Sequence, residues 1–290
     1  MSKLTPPRGY AQADMETRQE WLTEAAGHTV PEFALDAPEE LKGLIENHVG
    51  YLGMPMSVAG PLTIEGTHAN GIFYVPLCTL EGTLTLSMTR GCYLTHLGGG
   101  VKTQHVKQEL SRAPIFQFEE IGQAAKFLKQ VDEHYDAIKA AAESTTSHGK
   151  LIRIEKHPVH NRVILDFIYH TADAAGQNMV TLSTDAACRY IVENLSNGTP
   201  YRYLVESNFN ADKNPAHRSL IKGRGHHVIA SCQVPDRVMK KLMRVSAHQL
   251  MEARTDKLLG SQMAGLLGFN LHTANALAAM YLALGQDVAC

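Results

Sequence analysis

The chain has 290 residues, of which 44% are apolar and 19% charged, and its formal net charge is −2. This length allows one large domain or two ordinary ones, and the composition is typical of a globular protein with a sizeable buried core. The near balance of charges argues against nucleic acid or an anionic membrane as a partner.

The cysteines indicate a reducing compartment, and the apolar stretches indicate neither a signal peptide nor a membrane span. Cysteines far apart and without a CxxC spacing argue against a disulfide framework or a thiolate zinc site, and we expect no bound metal. The N-terminal MSKLTPPRGYAQAD has no apolar signal-peptide core, and the apolar stretch 266–284 is interrupted by polar residues, which favours a buried helix over a membrane span. We therefore expect a cytoplasmic protein. The cysteines are Cys78, Cys92, Cys188, Cys232 and Cys290.

The first part of the chain predicts helices, then strands, then a helix. Asp36 and Pro38 form a start signal for the second helix, and a Gly/Asn-containing turn joins the strands. The third helix would be buried and would end at the glycines 98–100. The predicted helices are 11–26, 38–47 and 81–97, and the predicted strands are 57–66 and 71–78.

Residues 114–204 differ from the preceding part in their pattern of predicted strands and helices. They predict the order βαββαβ of a ferredoxin-like unit. A Pro/His/Asn turn separates the two central strands, and Asp173 would open the second helix. The elements are a strand in 114–120, a helix over 121–144, two strands in 150–172, a helix over 173–195 and a strand in 200–207.

The chain then returns to a mainly helical body. We predict a strand over 225–234 and helices over 235–254 and 260–284. The fold class is therefore α+β, with a large mainly helical domain formed by residues 1–113 and 205–290 and a small ferredoxin-like domain, 114–204, inserted into it.

Several stretches combine isolated charges with small or amide residues. Glu81 is followed by eight uncharged residues before Arg90, and the DAAGQNM stretch would bring backbone N–H groups at a helix start up to an anionic group. Lys213 beside Asp212 is, taken alone, typical of a solvated surface pair. An ordinary helix start is the alternative for DAAGQNM.

The late helix carries His272 and Asn275 three residues apart, hence on one face. Taken alone, each is most simply a polar side chain in the core whose hydrogen bonds are satisfied within the protein. Brought together with Glu81, Lys213 and Asp287, however, such residues could hold a carbonyl group. An ammonium stabilises a developing alkoxide, and a carboxylic acid whose pKa is raised by a neighbouring carboxylate supplies a proton. Spacing alone does not bring these residues together.

The order of the motifs resembles the 3-hydroxy-3-methylglutaryl-CoA reductase family, in the class that includes eukaryotic and archaeal members. The similarity begins with IENHVGYLGMPMSVAGPLTIEG, VPLCTLEGTLTLSMTRGC and LGGG, and continues through DAAGQNM, ADKNP, IKGRG, GSQMAGLLGFNLHTAN and ALGQD. It spans about residues 45–287 in collinear order, which makes it far more specific than any single motif.

The resemblance implies a large substrate-binding domain, an inserted nucleotide-binding domain, and a homodimer or dimer of dimers with active sites between subunits. It implies reduction of an acyl-CoA thioester to mevalonate and CoA by two hydride transfers from NADPH. NADH stays open as the donor, because an arginine near the 2′-phosphate is replaced within Ser147–His148, with Lys150 close by.

The same resemblance assigns roles to individual residues. Glu81 matches the catalytic proton donor, Lys213 the lysine that stabilises the oxyanion, and Asp287 the aspartate that links them. The substrate-binding matches are Arg112 for the free carboxylate, Asp212, His272 and Asn275 for the acyl pocket, and Ser87 and Arg90 for CoA. The cofactor-binding matches are Asp173, Gly176, Gln177, Asn178, Met179 and Ser147.

Some positions depart from the family pattern. Asn214 stands where a second lysine is usual, and Glu206 (or Ser207) stands where a serine is expected. Asp256 stands where a lysine is expected, although Lys257 is adjacent. Gln177 replaces a methionine, and Thr89 an asparagine.

The C-terminal end departs most from the family. No histidine follows Asp287, so none matches the residue that protonates the CoA thiolate, and we expect that the chain lacks its C-terminal part. Three alternatives stay open: a non-catalytic or regulatory CoA-binding relative, a reductase of another acyl-CoA, and a fold in which these residues are structural.

Overall fold

The computed structural model describes residues 6–29, 38–195, 200, 202–268 and 270–290. The α-helices are α1 Gln12–Ala26, α2 Leu84–Leu97, α3 Ile121–Glu133, α4 Tyr135–Glu143, α5 Gln177–Asn194, α6 His217–Lys222, α7 Asp236–Met243, α8 Ala247–Met263 and α9 Thr273–Ala283. The strands are β1 Met56–Gly66, β2 Asn70–Cys78, β3 Val101–Arg112, β4 Ile115–Gln117, β5 Lys150–Val159, β6 Arg162–His170, β7 Arg202–Leu204 and β8 Gly225–Ser231.

The chain divides into two compact units. The first holds the described residues up to Met56 together with Cys78–Leu80, and the second holds Ser57–Leu77 and Glu81–Cys290. In the first unit, the buried Arg18 of α1 donates hydrogen bonds to the carbonyl oxygens of His48 at 2.6 Å and Gly9 at 2.9 Å. One buried guanidinium therefore ties two loops of this unit to α1.

The prediction of a helix over 38–47 is wrong. A single 3₁₀ turn covers Pro38–Leu41, and turns follow it. Gly43 at φ +83° and Asn47 at φ +53° have left-handed backbone conformations, which interrupt a right-handed helix. Asp36, the predicted start signal, lies outside the described residues.

The strands of the second unit form one mixed sheet with the order β2-β1-β3-β6-β4-β7, in which β5 also pairs with β6 and β8 with β3. The long strand β3 joins the two parts of this sheet. Its residues Val101–Thr103 lie parallel to β1, Lys102–Glu109 antiparallel to β8, and Leu110–Arg112 antiparallel to β6. Arg112, the last residue of β3, is thereby fixed at the junction.

The part of the sheet formed by β7, β4, β6 and β5 is antiparallel throughout and has the element order of a ferredoxin-like unit. The α+β class is confirmed. The domain boundaries at 113/114 and 204/205 stay a prediction. The predicted helix over 121–144 is two helices, α3 and α4, which meet at His134.

The main apolar core lies between this antiparallel sheet and α3, α4 and α5. Alternate residues of β6 point to one face of the sheet, and the apolar ones among them are fully buried there. Phe127 of α3 lies with its ring centroid 5.1 Å from that of Phe116 and 5.0 Å from that of Phe118. These aromatic contacts hold α3 on the sheet.

The late helices differ from the prediction. The predicted helix over 235–254 is interrupted at Arg244, which has φ +58°, and the one over 260–284 is replaced by the end of α8 and a separate α9. The predicted burial of the helices 81–97 and 266–284 is also wrong, because α2 buries only Leu84 and Cys92, and α9 only Ala279. In the described part of the chain, we find no helix that combines the length and apolarity needed to cross a membrane.

Candidate functional site

An open cleft of about 530 Å³ lies where the end of β3, the start of α5 and two loops meet. Most of its polar lining comes from residues that the sequence had singled out. The lining residues are Arg112, Ala174, Gly176, Gln177, Asn178, Met179, Thr181, Asp212, Lys213, Asp287 and Cys290.

The start of α5 forms one wall of the cleft. Asp173 is not its cap as predicted; Gly176 holds that position, in a left-handed conformation at φ +84°. The first helical hydrogen bond runs from the N–H of Val180 to the carbonyl of Gly176 at 2.9 Å. The N–H groups of the three residues between them have no acceptor in the helix, and with the helix dipole they favour a negatively charged ligand.

The loop before β5 lies beside this helix start. The hydroxyl of Thr146 donates to the sulfur of Met179 at 3.2 Å and accepts from the N–H of Gly149 at 3.1 Å. A Cβ added to Gly149 would lie 2.9 Å from the Met179 sulfur. The exposed Ser147, between these residues in sequence, is therefore carried on a loop in contact with the start of α5.

Arg112 projects from the end of β3 and is largely buried, with 9% of its side chain exposed. Its Nη1 donates to Oε2 of Glu206 at 2.6 Å, and its Nη2 donates to Oε1 of Gln177 at 3.0 Å. Oδ2 of Asp212 lies 3.5 Å from Nη2, and the other oxygen of Asp212 accepts from Arg224. This guanidinium therefore links the start of α5 to the loop that carries Lys213.

Lys213 lies in a tightly turned loop in which Asn208, Ala211 and Lys213 itself all have positive φ angles, between +57° and +65°. The positive charge of its ammonium group interacts electrostatically with Asp287. The Asp287 carboxylate also accepts hydrogen bonds from the N–H of Ala289 at 2.8 Å and from the thiol of Cys290 at 3.2 Å. These two hydrogen bonds, the one from Ala289 foremost, and the charge of Lys213 lower the pKa of Asp287.

The lowered pKa differs from the sequence-based expectation for the carboxylates. A raised pKa was expected from burial beside a second carboxylate, but Asp287 is exposed and surrounded by donors in this chain. Asp287 is therefore ionised at neutral pH, and the charge of Lys213 contributes to this.

Glu81 lies at a second place, just before α2. The amide of Asn275 donates to both of its carboxylate oxygens, at 3.0 and 2.8 Å. Asn275 is in the first turn of α9, whereas Asp287 follows the end of this 11-residue helix. Since such a helix is about 16 Å long, the Glu81–Asn275 pair and the Lys213–Asp287 pair stand near opposite ends of α9.

The structure thus brings together eight of the predicted site residues in the cleft. Among the described residues, the other seven predicted site residues do not line this cleft. His272 caps α9 at φ +59°, and Ser87 and Arg90 lie on the exposed face of α2. The predicted residues outside the cleft lining are Glu81, Ser87, Arg90, Ser147, Asp173, His272 and Asn275.

Two residues of this region were missed in the sequence. Asn210 is buried and donates to the carbonyl of Ser111 at 3.1 Å and to Glu206 at 2.9 Å, and Arg224 pairs with Asp212. The Glu206 side chain, noted only as a departure from the family pattern, is a direct partner of Arg112. The amide and acid residues of NFNAD were a usable signal, because such side chains often stabilise turns.

The fold and the sequence both match known proteins. A solved structure of the class II 3-hydroxy-3-methylglutaryl-CoA reductase from Streptococcus pneumoniae, bound to NADPH in open conformations, aligns with a TM-score of 0.62 at 17% identity, covering 96% of this chain and 73% of that one. The fold is therefore that of a hydroxymethylglutaryl-CoA reductase.

The sequence comparisons establish the family. The family model for hydroxymethylglutaryl-coenzyme A reductase matches residues 14–290. The 3-hydroxy-3-methylglutaryl-coenzyme A reductase of Halobacterium salinarum is 39% identical over 259 residues, and that of Methanothermobacter thermautotrophicus is 36% identical over 277 residues. The chain belongs to the hydroxymethylglutaryl-coenzyme A reductase family, which confirms the resemblance.

The chain is shorter than these relatives. The alignments cover 89% and 94% of this chain but 63% and 69% of the Halobacterium and Methanothermobacter proteins.

Proposed function

We propose that this protein reduces 3-hydroxy-3-methylglutaryl-CoA to mevalonate and CoA with NADPH. The observation that supports this most directly is the composition of the cleft. A helix start suited to a pyrophosphate, an arginine suited to a carboxylate, and a lysine–aspartate pair suited to a reacting carbonyl line one open space. Family membership supports the same reaction.

The residues present fit a dinucleotide. Gly176 packs closely on Thr171, because a Cβ there would lie 2.6 Å from Cγ2 of Thr171. This turn leaves the first N–H groups of α5 available for phosphate oxygens. Gly176, Gln177, Asn178 and Met179 would hold the pyrophosphate. When bound, NADPH supplies the hydride.

The nucleotide end would lie near the loop that carries Ser147, with Asp173 at the entry to the helix. Lys150 is on the following strand, where its ammonium lies 3.5 Å from Glu143. Because Lys150 is already paired, selection of NADPH over NADH rests on few cations, and NADH stays a second donor to be tested.

The acyl group would bind between Arg112 and Lys213. Arg112 would hold the free carboxylate, and the Lys213 ammonium would lie at the thioester oxygen, where it stabilises the negative charge that develops during reduction. Asp287, whose pKa the charge of Lys213 helps to lower, would stay ionised near that ammonium. Asp212 orients Arg112 through the contact at 3.5 Å.

Glu81 would supply the proton to the reacting oxygen, oriented by Asn275. Such a role needs a carboxyl group held at hydrogen-bonding distance of the reacting oxygen. His272 and Asn275 would line the acyl pocket, and Ser87 and Arg90 would contact CoA.

We further propose that the protein acts as a homodimer, or a dimer of dimers, with active sites between subunits. A shared site would bring the Glu81–Asn275 pair of one copy to the Lys213–Asp287 pair of the other. Exposed apolar side chains support an interface between copies, among them Val228 at 50% and Ile229 at 58% exposure on β8. We propose a cytoplasmic location, and an inserted cofactor domain at 114–204.

The reaction is tested with the full-length protein, 3-hydroxy-3-methylglutaryl-CoA and either NADPH or NADH. We expect oxidation of the nicotinamide with release of free CoA thiol and mevalonate in the ratio of two hydrides to one mevalonate. Binding of CoA without oxidation of either nicotinamide would contradict the proposal and support the non-catalytic alternative.

The shared site is tested by mixing two inactive variants, Glu81→Gln and Lys213→Ala, after dissociation and reassembly. If the two residues come from different copies, mixed dimers regain one intact site, and the mixture regains about a quarter of the wild-type activity. If both residues come from the same copy, the mixture stays inactive.

A further inference from the structure

The guanidinium of Arg112 already has a carboxylate partner before any substrate binds. Glu206 accepts its Nη1–H at 2.6 Å, in a short charge-assisted hydrogen bond. Its Nη2 contacts Gln177 at 3.0 Å and Asp212 at 3.5 Å. Among the described residues, the buried Nε–H of Arg112 has no hydrogen-bond partner. A carboxylate that approaches Arg112 from the cleft therefore meets a guanidinium that is already paired with Glu206 but not fully hydrogen-bonded.

The charges around this end of the cleft are also balanced within the protein. Arg112 forms an ion pair with Glu206, and Asp212 contacts both Arg112 and Arg224. The charge of Lys213 is opposite to that of Asp287 and interacts with it. A further carboxylate adds a net negative charge to this cluster.

Glu206 is held in its position and would not simply swing away. Its Oε1 accepts the N–H of Asn208 at 2.6 Å, and its Oε2 accepts the amide of Asn210 at 2.9 Å. Asn210 is itself buried and bonded to the carbonyl of Ser111 at 3.1 Å. These contacts fix the Glu206 carboxylate to the backbone at the end of β3.

We propose that Glu206 is a specificity-determining residue, which occupies Arg112 and weakens binding of acyl groups that carry a free carboxylate. The proposal rests on the proposed function and adds a substrate preference to it. Acyl-CoA thioesters with an uncharged acyl end are unaffected by Glu206, whereas 3-hydroxy-3-methylglutaryl-CoA binds more weakly than an unoccupied Arg112 would allow.

The test compares the full-length wild type with Glu206→Gln, which keeps the shape and the acceptor oxygen but removes the charge. Two carboxylates on one guanidinium repel each other, so we expect the KM for 3-hydroxy-3-methylglutaryl-CoA to fall by about tenfold, with kcat unchanged. The KM for acetoacetyl-CoA, whose acyl end is uncharged, should stay the same. Glu206→Ser serves as a second variant if the first does not fold.

Asp185→Asn is the matched control. It removes a carboxylate that pairs with an arginine, Arg189 at 2.8 Å, at a place outside the cleft lining. This variant should leave both KM values unchanged. An unchanged or increased KM for 3-hydroxy-3-methylglutaryl-CoA in Glu206→Gln would overturn the proposal and leave Glu206 as a support for the position of Arg112.

A binding measurement separates this proposal from the proposed function. If the wild type reduces neither thioester, the proposed function fails, but calorimetric titration with free 3-hydroxy-3-methylglutarate still tests Glu206. About tenfold tighter binding to Glu206→Gln than to the wild type supports its role, and equal binding refutes it.

Discussion

Gly176 is the position at which a single methyl group should disturb both the fold and the proposed cofactor site. It begins α5 at φ +84°, in the left-handed region that side chains with a Cβ rarely adopt. A Cβ built on it would lie 2.6 Å from Cγ2 and 2.7 Å from Cβ of Thr171, which is only 3% exposed. Gly176→Ala therefore adds backbone strain and a clash with a residue that has no room to move.

The two contributions can be added. The left-handed conformation costs a residue with a Cβ about 1–2 kcal/mol. Overpacking against a buried neighbour costs about 1–3 kcal/mol. We expect Gly176→Ala to lower the free energy of unfolding by about 2–5 kcal/mol, and to weaken NADPH binding because the start of α5 must shift.

The measurement is urea denaturation followed by circular dichroism, together with calorimetric titration of NADPH. Gly122→Ala is the matched control, because Gly122 lies within α3 and a Cβ there would have no atom within 4 Å. Alanine at that position should leave stability unchanged or raise it by up to about 1 kcal/mol. Equal stability of the two variants would refute the reasoning.

Three other predictions concern charge, hydrogen bonding and packing. The hydrogen bond from Arg153 is the main cause that lowers the pKa of Glu109 from 4.5 to about 2. The resulting stability is present above pH 4.5 and is lost as the pH falls towards 2. Glu109→Gln should therefore lose about 2 kcal/mol at neutral pH, allowing for solvent screening, and almost nothing near pH 2; equal losses at both pH values in urea titrations would contradict this. Asn275→Ala removes both hydrogen bonds to Glu81 and should lower kcat by more than about tenfold. The melting temperature should fall little, because Glu81 is exposed. An unchanged kcat would contradict the proposed role of Asn275 in orienting Glu81. Phe127→Ala empties a fully buried position and should cost about 3–5 kcal/mol in urea denaturation, and a loss below about 1 kcal/mol would show that the core collapses around the space.

The ferredoxin-like part of the fold was predictable because its sequence pattern matches its environment. RVILDFIYH alternates apolar residues that the structure buries on one face of β6, and α3 has a clear apolar face on the sheet. The strand β3 was missed, because its exposed positions are mostly polar and its half-buried ones include Thr103, His105 and Lys107. Its pairing with β1 and β8 sets its structure, and no local pattern shows such pairing.

The candidate site was predictable only through the order of the motifs. Arg112 and Glu206 are 94 residues apart and Glu81 and Asn275 are 194 apart, so spacing along the chain carries no sign of their contacts. The left-handed loop at Lys213 and the position of Gly176 as the cap of α5 depend on tertiary packing. Asp287 was predicted to be buried, because its surroundings were inferred from the chemistry expected of it. In the single chain its side chain is exposed.

The central claim is that Lys213 acts on the reacting thioester in the cleft that also holds the nicotinamide cofactor. The most direct measurement is NADPH oxidation with 3-hydroxy-3-methylglutaryl-CoA by Lys213→Ala, paired with calorimetric titration of NADPH into the same variant. Turnover should fall by at least about a thousandfold while NADPH binds with an unchanged Kd. Wild-type turnover by Lys213→Ala would contradict it.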